Sequence, residues 1–168
     1  MNNQDKRVEA LEKGRVKNKT LLDIGVGSLS IIAARDFNCK VTNIDISKQA
    51  LEDAEKEARK EKLNIKFECV DATDLPYKNN TFDIVICYGA LHHIDLNKRI
   101  NFVHETYRVA REKLIIAAYN KIGFNQIHSE DSYESVNLDW LEKELNILGS
   151  VEKYFYKLLN IYICHKET

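Results

Sequence analysis

Three acidic residues of this 168-residue chain each stand near the end of a short apolar run. They are Asp23, Asp45 and Asp71, and Gly25 and Gly27 closely follow the first of them. Glycines at such a place let the backbone turn sharply and lie close to a ligand, with the N–H groups of a following helix facing it. Asp45 comes 20 residues after Gly25, about the spacing at which a carboxylate binds the two hydroxyls of a ribose. The pattern predicts a site for a nucleotide or a nucleoside.

The glycine loop differs from the fingerprint of dinucleotide-binding proteins. That fingerprint has a third glycine, which allows close strand–helix packing and leaves room for a pyrophosphate. Ser28, Leu29 and Ser30 stand there instead, and a side chain in that space disfavours a diphosphate. A nucleoside with a positively charged tail needs no anion cradle and is favoured by a nearby acid such as Asp23. A nicotinamide cofactor stays open as an alternative, because two glycines and an acid also fit it.

These residues need elements that bring the strand ends together. Short β-rich runs alternate with amphipathic helical patterns, which predicts strands at 20–24, 40–46, 65–70, 82–88, 113–119, 151–157 and 159–166. Five strand–helix alternations predict a parallel sheet with helices on both faces. In such a sheet ligands bind outside the carboxyl ends of the strands. The last two runs leave no room for a crossover helix, so the sheet should finish with one antiparallel strand.

Three helices have capping signals in the sequence, since Ser47, Asp95 and Asn137 each precede an apolar stripe with helical spacing. The predicted buried faces are Ala50, Leu51, Ala54 and Ala58 after Ser47; Leu96, Ile100, Val103, Tyr107 and Ala110 after Asp95; and Leu138, Leu141, Leu145 and Leu148 after Asn137. Gly149 is expected to end the third of these helices.

The composition indicates a single soluble globular domain over residues 1–168. Apolar residues make up 44% of the chain and charged residues 30%, which is ordinary for such a domain. The formal net charge of −1 predicts no general attraction to nucleic acid or to an anionic membrane. Residues 1–20 hold six Lys/Arg against three Asp/Glu, so RNA or a protein stays open as a substrate.

The four cysteines show no CxxC spacing for zinc or redox chemistry. Cys69 and Cys87 lie in apolar strand-like runs, where a buried thiol behaves as a small hydrophobe. Buried free thiols indicate a reducing, cytoplasmic location. No apolar run reaches the length of a membrane span, and the polar start "MNNQDKR" is not typical of a signal peptide. We therefore expect a cytoplasmic protein without membrane contact.

The order "LLDIGVG", "IDIS" and "FECVDATDLPYKNNTFDIVICYGALHHI" resembles the class I S-adenosylmethionine-dependent methyltransferases. The likeness covers residues 20–118, and it is most specific to the small-molecule type with a "D-A-x-x-L-P…FD-x-V…LHH" middle. It implies an α/β fold with a Rossmann-like, doubly wound, seven-stranded sheet, mostly parallel with an antiparallel last strand. It also implies transfer of a methyl group from S-adenosylmethionine, which leaves S-adenosylhomocysteine, to a small-molecule acceptor.

The resemblance gives four residues a place near the methionine end of this cofactor. Gly25 and Gly27 would run beside the methionine portion, and Asp23 would support that loop and the amino end. Tyr88, leaving the fourth strand, would face the methionine end. The family's loop commonly reads G-x-G-x-G, whereas this chain has Leu29 in place of the third glycine.

The resemblance gives four further residues a place near the adenosine. Asp45 would hold the ribose hydroxyls, and Ile46 would lie against the adenine. Asp71 would accept a hydrogen bond from the adenine amino group, while the N–H of Ala72 would meet the ring.

Two adjacent histidines follow the fourth strand. His93, and less so His92, is a candidate general base for the nucleophile, because imidazole exchanges protons near neutral pH. The alternative is that the pair packs the loop. No metal site is predicted, since no third ligand sits at a useful spacing from the pair.

Two features bear on the acceptor. The sequence Cys87-Tyr88-Gly89-Ala90 replaces the DPPY-type tetrapeptide that accompanies methylation of base or amide nitrogens, which disfavours nucleic acid as a substrate. The long connection 119–136 is a candidate substrate cover. About 19 residues precede the first strand, which predicts little cover from that side.

Three alternatives stay open beside a small-molecule methyltransferase. A methyltransferase acting on RNA or protein is one of them. A non-catalytic cofactor-binding or partner subunit is suggested by Leu29 and the small size of the chain. A nicotinamide-dependent oxidoreductase is the third, and it predicts a sheet without the reversed last strand.

Overall fold

The computed structural model of the chain describes residues 5–129 and 132–167. Its sheet has seven strands: β1 Thr20–Ile24, β2 Lys40–Asp45, β3 Lys66–Cys69, β4 Phe82–Tyr88, β5 Ala110–Tyr119, β6 Ser150–Phe155 and β7 Leu159–His165. The strand order is β3-β2-β1-β4-β5-β7-β6. Strand β7 runs antiparallel to both of its neighbours, and the other pairs are parallel. This confirms the predicted doubly wound sheet with a reversed last strand.

Over the described ranges, six α-helices accompany the sheet: α1 Lys6–Gly14, α2 Leu29–Asp36, α3 Lys48–Lys60, α4 Arg99–Val109, α5 Lys121–Ile127 and α6 Leu138–Leu148. Two 3-10 turns, Leu91–His93 and Leu96–Lys98, lie between β4 and α4. Within the described residues, no helix is both long enough and apolar enough to cross a bilayer.

The core forms two layers, one on each face of the sheet. Alternate residues of a strand point to opposite faces. One cluster accordingly takes Leu22, Val85 and Leu114 together with residues of α4 and α6, and the other takes Leu21, Ile84 and Ile115 together with residues of α1 and α2. The central strands are therefore buried on both sides, which explains their nearly continuous apolar sequences.

The direction in which successive strands are added to the sheet changes between β1 and β4. Strands β2 and β3 are added beside β1, whereas β5 is added beside β4. A crevice forms at such a change of direction, above the carboxyl ends of the strands. The residues that follow β1, β2 and β4 therefore meet at this edge.

Two of the predicted helix caps are confirmed. The side chain of Ser47 accepts a hydrogen bond from the N–H of Ala50 at 3.2 Å. The side chain of Asn137 accepts one from the N–H of Trp140 at 3.0 Å, and Gly149 directly follows α6. Each cap satisfies an N–H group that has no partner inside its own helix.

The prediction for α4 was wrong in its phase. Asp95 makes no side-chain cap hydrogen bond within the described residues, and it opens a 3-10 turn rather than the helix. Leu96 and Ile100, which were expected to be buried, are 64% and 44% exposed. The buried face of α4 consists of Arg99, Phe102, Val103, Thr106 and Val109. Because α4 begins only at Arg99, after this turn, the face that meets the sheet is offset by about one residue from the predicted stripe.

Three further expectations differ from the structure. Cys69 is exposed, because it ends the edge strand β3, whereas Cys39, Cys87 and Cys164 are buried free thiols. Helix α1 occupies the stretch that was expected to give little cover. The connection 119–136, expected to be a loop, contains α5.

Candidate functional site

Two neighbouring cavities open at the carboxyl edge of the sheet. The first, here called the strand-end cavity, has a volume of about 580 Å³ and lies over the ends of β1, β2 and β4. The second, here called the tyrosine cavity, has a volume of about 820 Å³ and is lined by Tyr88, Tyr119 and Tyr156. Both volumes are in the range of small-molecule sites. Gly25, Val26 and Tyr88 line both cavities and so separate them.

The loop after β1 is shaped by its two glycines. Gly25 has a φ angle of +92°, a conformation that favours glycine, and its N–H donates to the carbonyl of Ile44 at 2.8 Å. A Cβ atom on Gly27 would find no atom of the described residues within 4 Å. The space beside Gly27 is therefore open to a ligand that approaches the backbone closely.

The carboxylate of Asp45 joins β2 to the glycine loop. Its Oδ2 accepts from the N–H of Val26 at 3.0 Å, and its Oδ1 accepts from the N–H of Ser47 at 2.8 Å. An ionised carboxylate has about four acceptor positions, so these two bonds leave capacity for hydroxyl donors from a ligand. Asp45 lines the strand-end cavity, and the neighbouring Ile46, 76% exposed, offers apolar surface there.

Asp71 stands at the same cavity, after β3. Its Oδ1 accepts from the hydroxyl of Thr73 at 2.7 Å and from the N–H of Thr73 at 2.8 Å. These hydrogen bonds lower the pKa of Asp71, which keeps the carboxylate ionised at neutral pH. The buried Ala72 lines the cavity beside it.

Asp23 lies on the other side of the glycine loop, at the tyrosine cavity. Its side chain is buried and accepts from the hydroxyl of Ser30 at 2.6 Å. Burial raises the pKa of Asp23 to about 7. The structure therefore brings Asp45 and Asp71 together in one cavity and places Asp23 next to it.

Leu29, at the position of the family's third glycine, is the first residue of α2, and its side chain is only 3% exposed and packs in the core. The extra side chain is thus accommodated mainly by the packing of the helix on the sheet.

The two predicted histidines occupy the 3-10 turn after β4. His93 lines the strand-end cavity together with Tyr133, and their ring centroids are 4.6 Å apart. His92 is buried, and its Nε2 has no hydrogen-bond partner among the described residues. Burial, with smaller contributions from positive charge on His93, His128 and Arg99, lowers the pKa of His92 to about 4. His92 is therefore neutral at physiological pH.

Arg99 is a site residue that the sequence did not reveal. Its guanidinium is buried and donates to four backbone carbonyls, those of His92, Ile94, Glu134 and Ser135, at 2.7–3.2 Å. It thereby fastens segment 134–135 to the turn that carries the two histidines. A signal existed in the helical spacing of Arg99 with Phe102 and Val103, but the phase error in α4 concealed it.

Two other contributions to the site were missed. Arg7 in α1 lines the tyrosine cavity and its guanidinium hydrogen-bonds Asp5 and the hydroxyl of Ser28. His128, which directly follows α5, lies beside His92 with a ring-centroid distance of 4.5 Å. For Arg7, the available signal in the sequence was Asp5, whose side chain caps α1. No local signal links His128 to the histidine pair.

Comparisons with known proteins identify the sequence family and the fold of the chain. Residues 21–113 match the sequence family described as "Methyltransferase domain". Ajmaline N-methyltransferase from Rauvolfia serpentina is 28% identical over 149 residues, which are 86% of this chain and 49% of that enzyme. The ubiquinone/menaquinone biosynthesis C-methyltransferase UbiE from Rickettsia bellii is 29% identical over 157 residues, 86% of this chain and 61% of that enzyme. The chain thus spans less than two thirds of the length of these relatives.

Two solved structures have a similar fold. The PH0226 protein from Pyrococcus horikoshii OT3 matches with a TM-score of 0.81 and 20% identity, over 99% of this chain and 93% of that protein. Magnesium protoporphyrin IX methyltransferase from Synechocystis PCC 6803, solved with bound SAH, matches with a TM-score of 0.76 and 20% identity, over 96% of this chain and 80% of that enzyme.

Proposed function

The chain belongs to the methyltransferase domain family, and on that basis we propose that it transfers a methyl group from S-adenosylmethionine to a small-molecule acceptor. The observation that carries the proposal is the lining of the strand-end cavity. Of the eight residues that the sequence suggested for cofactor binding, six line it: Gly25, Asp45, Ile46, Asp71, Ala72 and Tyr88. The other two, Asp23 and Gly27, line the tyrosine cavity next to it.

The residues of the strand-end cavity fit an adenosine. Asp45 has acceptor capacity for the two ribose hydroxyls, and the exposed Ile46 offers an apolar contact for the base. Asp71 would accept a hydrogen bond from the adenine amino group, and the N–H of Ala72 would meet the ring. The open space at Gly27 and the separating residue Tyr88 fit the methionine portion, which would lie between the two cavities.

The tyrosine cavity is the proposed acceptor site. Its three tyrosines offer aromatic surface to a small organic molecule, and Tyr88 borders the cofactor side. Ajmaline N-methyltransferase is named for a small organic acceptor, and UbiE is named for the biosynthesis of small organic quinones, which supports the same class of acceptor here.

S-adenosylmethionine supplies an activated methyl group on a sulfonium, so the work of this chain is chiefly placement. Tyr88 and the glycine loop would hold the methyl group toward the acceptor cavity. Alignment of two reactants can lower a barrier by about 7–11 kcal/mol in the best cases. His93, the candidate general base, lines the strand-end cavity and not the tyrosine cavity, so in this proposal it stands on the cofactor side rather than beside the acceptor.

The structure bears on two alternatives. The reversed strand β7 contradicts the sheet expected for a nicotinamide-dependent oxidoreductase. The burial of Leu29 removes one of the two reasons for a non-catalytic subunit, because the side chain lies in the core.

Calorimetric titration with S-adenosylmethionine, S-adenosylhomocysteine and NAD tests the proposal. Saturable binding of the first two, and not of NAD, is expected. Gly27→Ala should weaken that binding at least tenfold without lowering the melting temperature, because the added methyl group meets open space in the ligand-free protein. Asp74→Asn, an exposed carboxylate in the loop after Asp71, is the matched control and should bind normally. Absence of binding, or preference for NAD, would contradict the proposal.

A further inference from the structure

Three histidines from two separate segments meet at the wall of the strand-end cavity. His92 and His93 lie in the turn after β4, and His128 follows α5. One ring nitrogen of each lies within 4.8 Å of those of the other two. The chain has five histidines, and the remaining two, His104 and His165, lie elsewhere beside Glu144 and Glu152.

The two segments are held in place by contacts independent of the histidines' side chains. Arg99 fixes the turn through the carbonyls of His92 and Ile94. Helix α5 packs against the β6–β7 turn so closely that a Cβ on Gly123 would lie 2.0 Å from the carbonyl oxygen of Leu158. The N–H of His128 in turn donates to the carbonyl of Phe124 at 2.9 Å. The three rings are therefore brought together by the fold itself.

The buried ring of His92 supplies a second, independent observation. It is 4% exposed, and its Nε2 has no hydrogen-bond partner among the residues that the structure describes. An unsatisfied buried polar atom is costly, and native proteins contain few of them. A bond from this nitrogen to a ligand would remove that cost.

We propose that His92, His93 and His128 form a binding site for one divalent transition-metal ion, with zinc as the best fit. Zinc binds imidazole nitrogen at about 2.0–2.1 Å, so two tetrahedral ligand nitrogens lie roughly 3.4 Å apart. The three ring nitrogens lie within 4.8 Å of one another, so small side-chain rotations would bring them to the distances that zinc requires. Within the part of the chain that the structure describes, the set consists of three imidazoles, which favours zinc and similar ions over magnesium and calcium, since these prefer oxygen ligands.

The position of the site suggests its use. Three protein ligands leave one coordination position of tetrahedral zinc open to water or to another molecule. His93 and Tyr133 both line the strand-end cavity, so a ligand atom in that position would be reached from the cavity. A water molecule would complete the tetrahedron there, on the side of the proposed cofactor, and this placement alone rests on the proposed function.

Metal binding can be tested with the full chain after removal of any affinity tag and treatment with a chelator. Cobalt(II) serves as the spectroscopic probe, zinc as the competitor, and metal content after dialysis gives the stoichiometry. We expect one equivalent of zinc, displacement of cobalt by zinc, and visible absorption typical of tetrahedral cobalt. His128→Asn and His93→Asn should each weaken binding at least tenfold, whereas the matched surface variant His104→Asn should bind as the wild type does.

The outcomes separate this proposal from the proposed function. Failure to retain zinc, or equal retention by His128→Asn and the wild type, overturns the metal site, provided that the melting temperature shows His128→Asn to be folded. If His128→Asn does not fold, His93→Asn decides in its place. Titration of the chelator-treated protein with S-adenosylmethionine is carried out separately, so either site can fail while the other stands.

Discussion

At the scale of single residues, the burial of the Asp23 carboxyl makes the stability of the fold depend on pH. Its carboxyl is 2% exposed, and that burial raises its pKa from 3.8 to about 7 in the folded protein. A raised pKa means that the folded state binds the proton more tightly than the unfolded chain does. The resulting contribution to the free energy of unfolding is complete below about pH 3.8 and is lost as the pH rises through about 7.

Replacement of Asp23 by Asn should therefore change the pH dependence of stability. Between about pH 4 and 7 the wild type should lose roughly 1.4 kcal/mol per pH unit relative to Asp23→Asn, and the difference should then level off. Urea unfolding of both proteins at pH 5, 6, 7 and 8 measures this, since the other titrating groups are shared and cancel. Parallel pH curves would show that Asp23 ionises normally in the fold.

Asp45 should control cofactor affinity. Asp45→Ala removes the proposed acceptors for the ribose hydroxyls and should weaken binding of S-adenosylmethionine by about 1–3 kcal/mol. Because Asp45 also bonds the N–H of Val26 and of Ser47, Asp45→Asn is needed as the variant of similar shape. Calorimetry on both variants, with Asp74→Asn as control, provides the measurement. Unchanged affinity in Asp45→Ala would refute the ribose role.

At the scale of elements, Arg99 joins the start of α4 to two other segments. Arg99→Ala would leave four buried or half-buried carbonyls without their donor, and it should lower the free energy of unfolding by about 3 kcal/mol. Arg99→Lys should fall between this variant and the wild type, because one ammonium cannot reach all four carbonyls. Urea unfolding gives the stabilities, and hydrogen exchange should rise first in residues 132–136. A loss below 0.5 kcal/mol in Arg99→Ala would contradict this role.

The central elements could be predicted from the sequence because burial on both faces leaves a continuous apolar signature. Strands β1 and β4 begin and end where their apolar runs do. Helix α4 could not be placed correctly, since its phase depends on a 3-10 turn that has no apolar signature of its own. Helices α1 and α5 have few apolar residues with helical spacing, and tertiary packing decides their conformation.

The candidate site likewise contains residues that the sequence could predict and residues that only tertiary packing brings together. Gly25, Asp45 and Asp71 could be proposed from the sequence, because parallel strands deliver their carboxyl ends to one edge regardless of the details. The meeting of His128 with His92 depends on how α5 lies against the sheet, a relation between residues 36 positions apart. The expectation of no metal site considered only ligands near in sequence, and the fold supplies the third histidine.

At the scale of the whole molecule, ligand binding should be visible as stabilisation of the entire fold. A ligand at about 100 times its Kd adds about 2.7 kcal/mol to the free energy of unfolding. For a domain of this size S-adenosylmethionine should then raise the melting temperature by roughly 5–11 °C. Differential scanning fluorimetry with S-adenosylmethionine and NAD in parallel makes the comparison. A rise with NAD instead would contradict the cofactor assignment.

The sheet order has a final consequence, because it places β3 and β6 at the two outer edges. Unpaired backbone groups on an edge strand are a template on which fibrils can grow. Strand β3 has only four residues, two of them the charged Lys66 and Glu68, and β6 exposes Glu152 and Lys153. The short length of β3 and the charged side chains on both edge strands oppose the polymerisation of one sheet onto the next, so the chain should tolerate high concentrations in a crowded solution.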